Sequence, residues 1–432
     1  MHATSTALLA SYRDFATTLV EDGVVSDPWI EGAPRFRITP VVLTGAERTA
    51  LYRAGEAIVA LHEEAVRLCM ACPPLVQKFF EWPESHWQMW LASRGEWHGI
   101  ARADVFLTQD GPVVCELNSD TPSGQAEAIA LGRLFARDRL AGHLLDPNQQ
   151  LVASIRGLME GAAAKLAPRL CMGEGERRRA KSTIGIVYPT ELTDELCVIE
   201  QIERCFKSSG FAVVLGSPFN LQSDGGGGVA LFGTPCAMIY RHYKTDWWGE
   251  RRAVWREATI RDAESIAGPL SLLLSASARG RCAVVNPWGA VLSQNKRTMA
   301  LLWEELTRFS LRGQEAIRRY IPFTSRMEAI PRADLKRGRE QWVLKTDYGA
   351  EGEEVILGCE TTQTAWDDAV ERAEPRRWIV QRRFSALHDI DSAVANYGVF
   401  VVNHQACGLF TRLQKGSTDR HALSAATLVR LP

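Results

Sequence analysis

The stretch "ARADVFLTQDGPVVCELNSDTPSG", residues 101–124, sets Arg102, Asp104, Glu116 and Asn118 into two runs that otherwise read as buried strand. Asp, Glu and Asn offer the oxygen ligands that Mg²⁺ takes when phosphate groups complete its shell. Arginine offers a planar fork of donors that matches carboxylate or phosphate. Two readings fit this set: a cation and phosphate site, or a solvated sheet face whose carboxylates are paired by arginine.

Geometry narrows where the four side chains point. "RADVFLT" and "PVVCELN" read as a hairpin around Gln109-Asp110-Gly111, with Gly111 supplying the positive φ of a three-residue loop. That loop pairs Thr108 with Pro112, Asp104 with Glu116 and Arg102 with Asn118. Opposed residues share a face, so the four polar groups point one way and Val105, Leu107, Val113, Cys115 and Leu117 the other. A two-residue Asp-Gly turn would slip the pairing and send Asp104 to the opposite side. Facing carboxylates repel, and partial burial would cost several kcal/mol per uncompensated charge, so a cation is expected beside them.

Other elements must hold this hairpin. Residues 45–71 carry apolar side chains at i, i+3 and i+4 spacing among good helix formers and read as one helix. "DTPSGQAEAIALGRLFARDRL" reads as a second, with Thr121 as N-cap and Pro122 in its first turn. From 183, "TIGIVYP", "ELTDELCVIEQIERCFKSSG" and "FAVVLGSP" read as a βαβ unit of a parallel sheet, preceded by a polar linker at 173–182. The glycine run 225–228 lacks the spacing and following helix of a phosphate loop and reads as surface.

The last third adds basic groups. Lys296 stands near the start of a helix, with Ser293 as its expected cap. "QWVLKTDYGAEGEEVILG" is a strand ending in Lys345, a loop with Gly349 and Gly352, and a returning strand. Backbone N–H groups of such a loop can approach a phosphate while the lysine supplies a point charge. "RRWIVQRRF" is a buried strand with Gln381 at its polar end, and "GVFVVNHQACGLFTRLQ" a hairpin delivering Arg412.

Composition bounds the answer. A chain of 432 residues exceeds a single core, and a net charge of −1 with mixed signs carries neither a nucleic-acid footprint nor a polybasic membrane surface. The N-terminus has no basic segment followed by a long apolar run, and no stretch is long enough to span a bilayer; a cytoplasmic protein is expected. Of the 10 cysteines only Cys69 and Cys72 form C-x-x-C, inside a helical pattern, and they read as reduced packing thiols.

Taken in order, "RAD", "ELNSDTP", "SQNK" with "LLW", "LKTDYGAEG", "IVQ" and "GLFTR" resemble the synthetase domain of the glutathionylspermidine synthase family, from about "PRFRITP" to the C-terminus. The resemblance implies an ATP-grasp fold of mixed α/β class in permuted order: residues 1–179 with the metal-binding strands, an inserted pre-ATP-grasp-like α/β subdomain at 180–290, and a nucleotide-binding part at 291–432. It implies Asp104, Glu116 and Asn118 as Mg²⁺ ligands, and Arg102 and Arg412 as the groups that hold the acyl phosphate. It further implies Lys296 and Lys345 as ATP ligands, Gly349 and Gly352 in the loop over the phosphates, and Gln381 near the adenine.

The chemistry so implied is amide formation. A carboxylate is a poor acylating agent, so ATP first converts it to an acyl phosphate, which an amine attacks to release phosphate. The expected partners are a small-molecule acid and a small-molecule amine; the oligomeric state is left open. No amidase segment precedes the synthetase region, so ligase activity alone is expected. The sequence departs from the family at Ala350, where arginine is frequent, at Glu353 and Glu354 beside the glycines, in "YKTDWWGE", and in the tail; the identities of the acid and amine are therefore open. Asp246, Trp247 and Trp248 could meet a polyamine or simply pack. The competing class is a catalytically silent nucleotide-binding protein with the same fold.

Overall fold

The computed structural model describes residues 12–23, 25–136, 143–166, 183–250, 266–349, 355–373, 375–388, 392–416 and 421–431. The linker at 173–182, Gly352 and the acids Glu353 and Glu354 lie outside them.

A large sheet forms the centre. Its strands run in the order Phe36–Leu43, Leu423–Arg430, Gln405–Gln414, Val394–Val402, Ile100–Thr108, Gly111–Asn118. All neighbouring pairs are antiparallel except the first, which is parallel. The helix Gly45–Ala71 crosses one face, started by a capping box in which Thr44 and Glu47 satisfy each other's backbone N–H groups. Leu51, Ile58, Leu61 and Val66 of this helix are buried in one core with Val105, Val114 and Val399 of the sheet. Gly55 lets it approach closely, since a Cβ there would stand 2.7 Å from Val399 Cγ1.

The βαβ expectation is met by a four-stranded parallel sheet in the order Ala283–Val285, Met238–Arg241, Thr183–Val187, Ala212–Gly216. The helix Leu196–Ser208 makes the crossover between Thr183–Val187 and Ala212–Gly216, burying Val198, Ile202 and Phe206. A third, antiparallel sheet joins Thr324–Arg326, Trp378–Arg382, Trp342–Thr346 and Val355–Leu357 over a separate core around Leu344 and Trp366. The mixed α/β class is as the sequence implied.

Three local expectations are corrected. The hairpin loop holds two residues, Gln109 and Asp110, because Thr108 pairs with Gly111 rather than Pro112. A bulge between the 104 and 105 pairs then restores Asp104 opposite Glu116 and Arg102 opposite Asn118. The bulge puts Val114 into the core and turns Cys115 from the core face toward a cavity. Second, the helix after the hairpin is Gln125–Ala136, so Thr121 and Pro122 belong to a loop that lines the same cavity. Third, Ser293 ends the short helix Ala290–Ser293 and shares a 2.7 Å hydrogen bond with Ser119, so it does not cap the helix Arg297–Glu304.

Candidate active site

A cavity of about 930 Å³ opens between the large sheet, the small antiparallel sheet and the segments that follow the two inner strands of the parallel sheet. Asp104, Glu116, Asn118, Arg102, Arg412, Lys345, Gly349 and Gln381 all line it, and Lys296 enters beside Glu116. Gly352 is the one residue of the expected set whose position is not described.

On the large sheet the charges lock one another. Arg102 donates from Nε to Asp104 Oδ1 at 2.8 Å and from Nη2 to Oδ2 at 3.2 Å, a two-pronged pairing. Arg412, delivered by the neighbouring hairpin, donates to Asp104 Oδ2 at 2.7 Å. Asp104 is 1 % exposed, so its charge depends on these two cations. Gly398 lies opposite it on the next strand, and a Cβ there would stand 2.7 Å from Arg102 Cδ; glycine gives the arginine room to lie along the sheet.

Glu116 is the more open carboxylate, its side chain 24 % exposed. Burial raises its pKa, but Lys296, Lys345, Asn118 and Arg102 together outweigh that and hold it well below the usual carboxylate range. Lys296 Nζ stands 3.6 Å from Glu116, and Asn118 Nδ2 donates to it at 3.2 Å. Asn118 Oδ1 in turn accepts from Gln294 Nε2 at 3.4 Å.

The two lysines come from separate elements and are brought together by backbone. Lys345 is the next-to-last residue of the strand Trp342–Thr346, and the carbonyl of Asp347, two residues on, accepts from Lys296 N at 2.8 Å. Lys296 Nζ donates to Gly349 O at 2.5 Å and Lys345 Nζ to Cys115 O at 3.1 Å across the cavity. Gln381 is buried on the adjacent strand, its Nε2 bonded to Thr324 Oγ1 at 3.0 Å. Near it Phe106, Val343, Leu357 and Phe384 make the cavity's apolar end, with the Phe106 and Phe384 rings 5.3 Å apart.

The opposite wall comes from the segment that follows the inner strand Met238–Arg241 of the parallel sheet. Asp120 is buried and accepts from Arg241 and from Thr245 N at 2.6 Å, which fastens the hairpin to the helix Thr245–Glu250. Asp246, one residue further, faces the cavity; burial and the neighbouring Asp120 and Asp347 push its pKa up to about 7 against the pull of Lys244. Trp248 is packed in the core, and the Trp247 ring is covered by Lys244 Nζ at 4.6 Å.

Asn396 escaped the sequence reading. It pairs with Arg412 across the sheet, donates to Asp104 Oδ2 at 3.4 Å, and keeps a buried Oδ1 with no hydrogen-bond partner among the described residues. The signal was available: an amide in the apolar run "AVANYGVFVV" breaks the strand pattern as Asp104 does.

Among the described residues no three His, Cys, Asp or Glu side chains cluster to hold a metal ion by themselves. The donors present, two carboxylates and an amide oxygen beside four cations, fit Mg²⁺ only together with an anionic partner such as phosphate, which is the usual manner of Mg²⁺.

A central, largely antiparallel sheet carrying acids and arginines, faced by a smaller antiparallel sheet carrying Lys345, defines the ATP-grasp class of fold. Within that class, residues 257–424 match the family model "Glutathionylspermidine synthase preATP-grasp", which bears out the resemblance read from the motifs. In fold the chain is similar to a glutathione synthetase-like effector from Globodera pallida in its apo form, with a TM-score of 0.64 and 11 % identity over 100 % of this chain and 98 % of that one. A putative gamma-glutamylcysteine synthetase from Methylobacillus flagellatus aligns over 90 % of this chain and 87 % of its own, with a TM-score of 0.45 and 13 % identity. Curated proteins give no match.

No described helix is long and apolar enough to cross a membrane.

Proposed function

We propose that this protein is an ATP-dependent ligase that joins the carboxylate of an amino acid or peptide to an amine or polyamine through an acyl phosphate. A ligase of the synthetase type is the coarser reading that the family match supports. The observation that carries the finer one is the convergence of Arg102, Arg412, Lys296 and Lys345 on one cavity with Asp104, Glu116 and Asn118.

Glu116 and Asn118 would hold Mg²⁺, which when bound offsets phosphate charge, and Asp104, both of whose oxygens accept from arginine, would join them by giving up one of those bonds. Lys296 and Lys345 each donate to a backbone carbonyl, with Glu116 also 3.6 Å from Lys296, and the neutral carbonyls can be exchanged for the phosphates of ATP. The apolar end beside Gln381 would take the adenine. Arg412 and Arg102 hold positive charge where the phosphoryl group meets the acid, and Asp104 fixes their planes. The carboxylate oxygen attacks the terminal phosphorus and ADP leaves. The amine then attacks the acyl carbon, phosphate departs, and the ammonium proton is given up. Catalysis of this kind is positioning and charge stabilisation, and needs no side-chain nucleophile. Gly349, which lines the cavity, would bring its backbone against the phosphates.

Turnover of Glu116→Ala and Lys345→Ala tests the assignment. Each is expected to lose phosphate release with an acid and an amine by a factor of about 10² or more. Unchanged turnover in both would remove the site from this cavity. Binding of Mg-ATP with no turnover in the parent protein would favour a silent nucleotide-binding protein instead.

A further inference from the structure

One wall of the cavity takes no part in the steps above. It is built from the N-terminal segment and the loop after the metal-binding strand. Two short strands, Trp29–Ile30 and Ala33–Pro34, turn through Glu31 and Gly32 at φ 51° and 80°. Arg35 follows, its guanidinium spread between Asp27 O at 3.1 Å and Glu127 Oε1 at 2.6 Å.

Glu127 is 5 % exposed, lies in the first turn of the helix Gln125–Ala136, and lines the cavity. Arg35 occupies only one of its oxygens. Oε2 is buried with no hydrogen-bond partner among the described residues. A buried carboxylate oxygen left without a donor is costly, and an ionised carboxylate is an acceptor only, so the group that completes it is an N–H or O–H donor. An ammonium completes it best, because both charge and hydrogen bond are then satisfied.

The wall stands on the acid's side of the reaction. Arg102 Nη1 donates to Ser123 O at 2.8 Å, in the loop that leads directly into the helix of Glu127. A carboxylate held at Arg102 therefore lies against this loop. The acids of the opposite wall are placed otherwise: Glu195 is bonded to His242 at 2.7 Å, and Asp246 stands beside Lys244.

Resting on the ligase reading for its acid, we infer that Glu127, oriented by its ion pair with Arg35, binds an ammonium group of the acid substrate. That substrate is then an amino acid or a peptide with a free amino group, and an acid without one is refused. Arg35 is a positioning residue in this arrangement and Glu127 the specificity-determining one.

The test is binding, measured by calorimetry without turnover. Glutamate, alanine, glycylglycine and glutathione, each beside its N-acetyl form, are titrated into the full chain loaded with Mg²⁺ and a non-hydrolysable ATP analogue. At least one free-amino acid is expected to bind about ten- to hundredfold tighter than its acetylated form. Glu127→Gln is expected to remove that preference and leave affinity for the ATP analogue within about twofold. If Glu127→Gln fails to bind the analogue, Glu127→Asp replaces it and is expected to narrow the preference. Absence of any preference for the free amino group, or a preference that survives in the variant, overturns the inference. A chain that shows the preference yet turns over no acid with any amine would refute the ligase reading and leave this subsite standing.

Discussion

The two sheets that face each other across the cavity hold their charges in different ways. On the large sheet Asp104 is 1 % exposed and saturated by Arg102 and Arg412, so each group is the other's counter-ion. On the other side Lys296 and Lys345 end on the carbonyls of Gly349 and Cys115, and only Lys296 has a carboxylate, Glu116, at 3.6 Å. The first arrangement is finished without a ligand; the second is neutralised only in part. In the proposed ligase the sheet strands then serve orientation, and the lysines nucleotide capture.

The contrast is broken most directly at Asp104. Asp104→Ala leaves two arginines facing across an emptied place, and the loss of one partner from such a set costs about 3–5 kcal/mol. Chemical denaturation is expected to show that loss, together with loss of turnover. Lys345→Ala is expected to behave in the opposite sense: ATP affinity falls by about tenfold or more, while unfolding free energy changes by about 1 kcal/mol or less. Equal destabilisation by the two substitutions would erase the distinction between the sheets.

A smaller effect sharpens it through pH. Glu116 is held below its ordinary 4.5, so its ionised form stabilises the fold above that value, and the contribution fades as pH falls below it. The stability difference between the parent protein and Glu116→Gln should therefore shrink on acidification below about 4.5. Asp246 is pushed from its ordinary 3.8 up to about 7, and the sign reverses. Its favourable contribution is complete below 3.8 and is lost as pH rises through 7, so Asp246→Asn should gain on the parent between those values and stay level above them. Unfolding curves at pH 4, 6 and 8 distinguish the two behaviours.

Much of the site was legible because its residues are local to short motifs. The face shared by Arg102, Asp104, Glu116 and Asn118 follows from strand alternation once the register is known. The turn was not legible, since Gly111 serves a two- or three-residue loop equally well, and the correct pairing at Asp104 depends on a bulge that the sequence does not announce. Cys115 shows the consequence: read as core, it faces the cavity and offers its carbonyl to Lys345. Arg35 and Glu127 meet across 92 residues, and Asn396 reaches Asp104 across 292. Such pairings come from which strands and helices lie side by side, and no spacing within a motif encodes that. The parallel sheet was legible because continuous apolar runs flanking an amphipathic helix are what a strand buried on both faces requires.

In the proposed ligase the lysines, arginines and acids around this cavity serve one reaction with three participants. The most direct test is phosphate release by the purified protein with Mg-ATP, across a matrix of amino acids and peptides against diamines, polyamines and amino acids, with products weighed by mass spectrometry. Release is expected to require both an acid and an amine, and to give a product whose mass is their sum less one water. Release that proceeds equally with water alone, or with neither partner present, would contradict it.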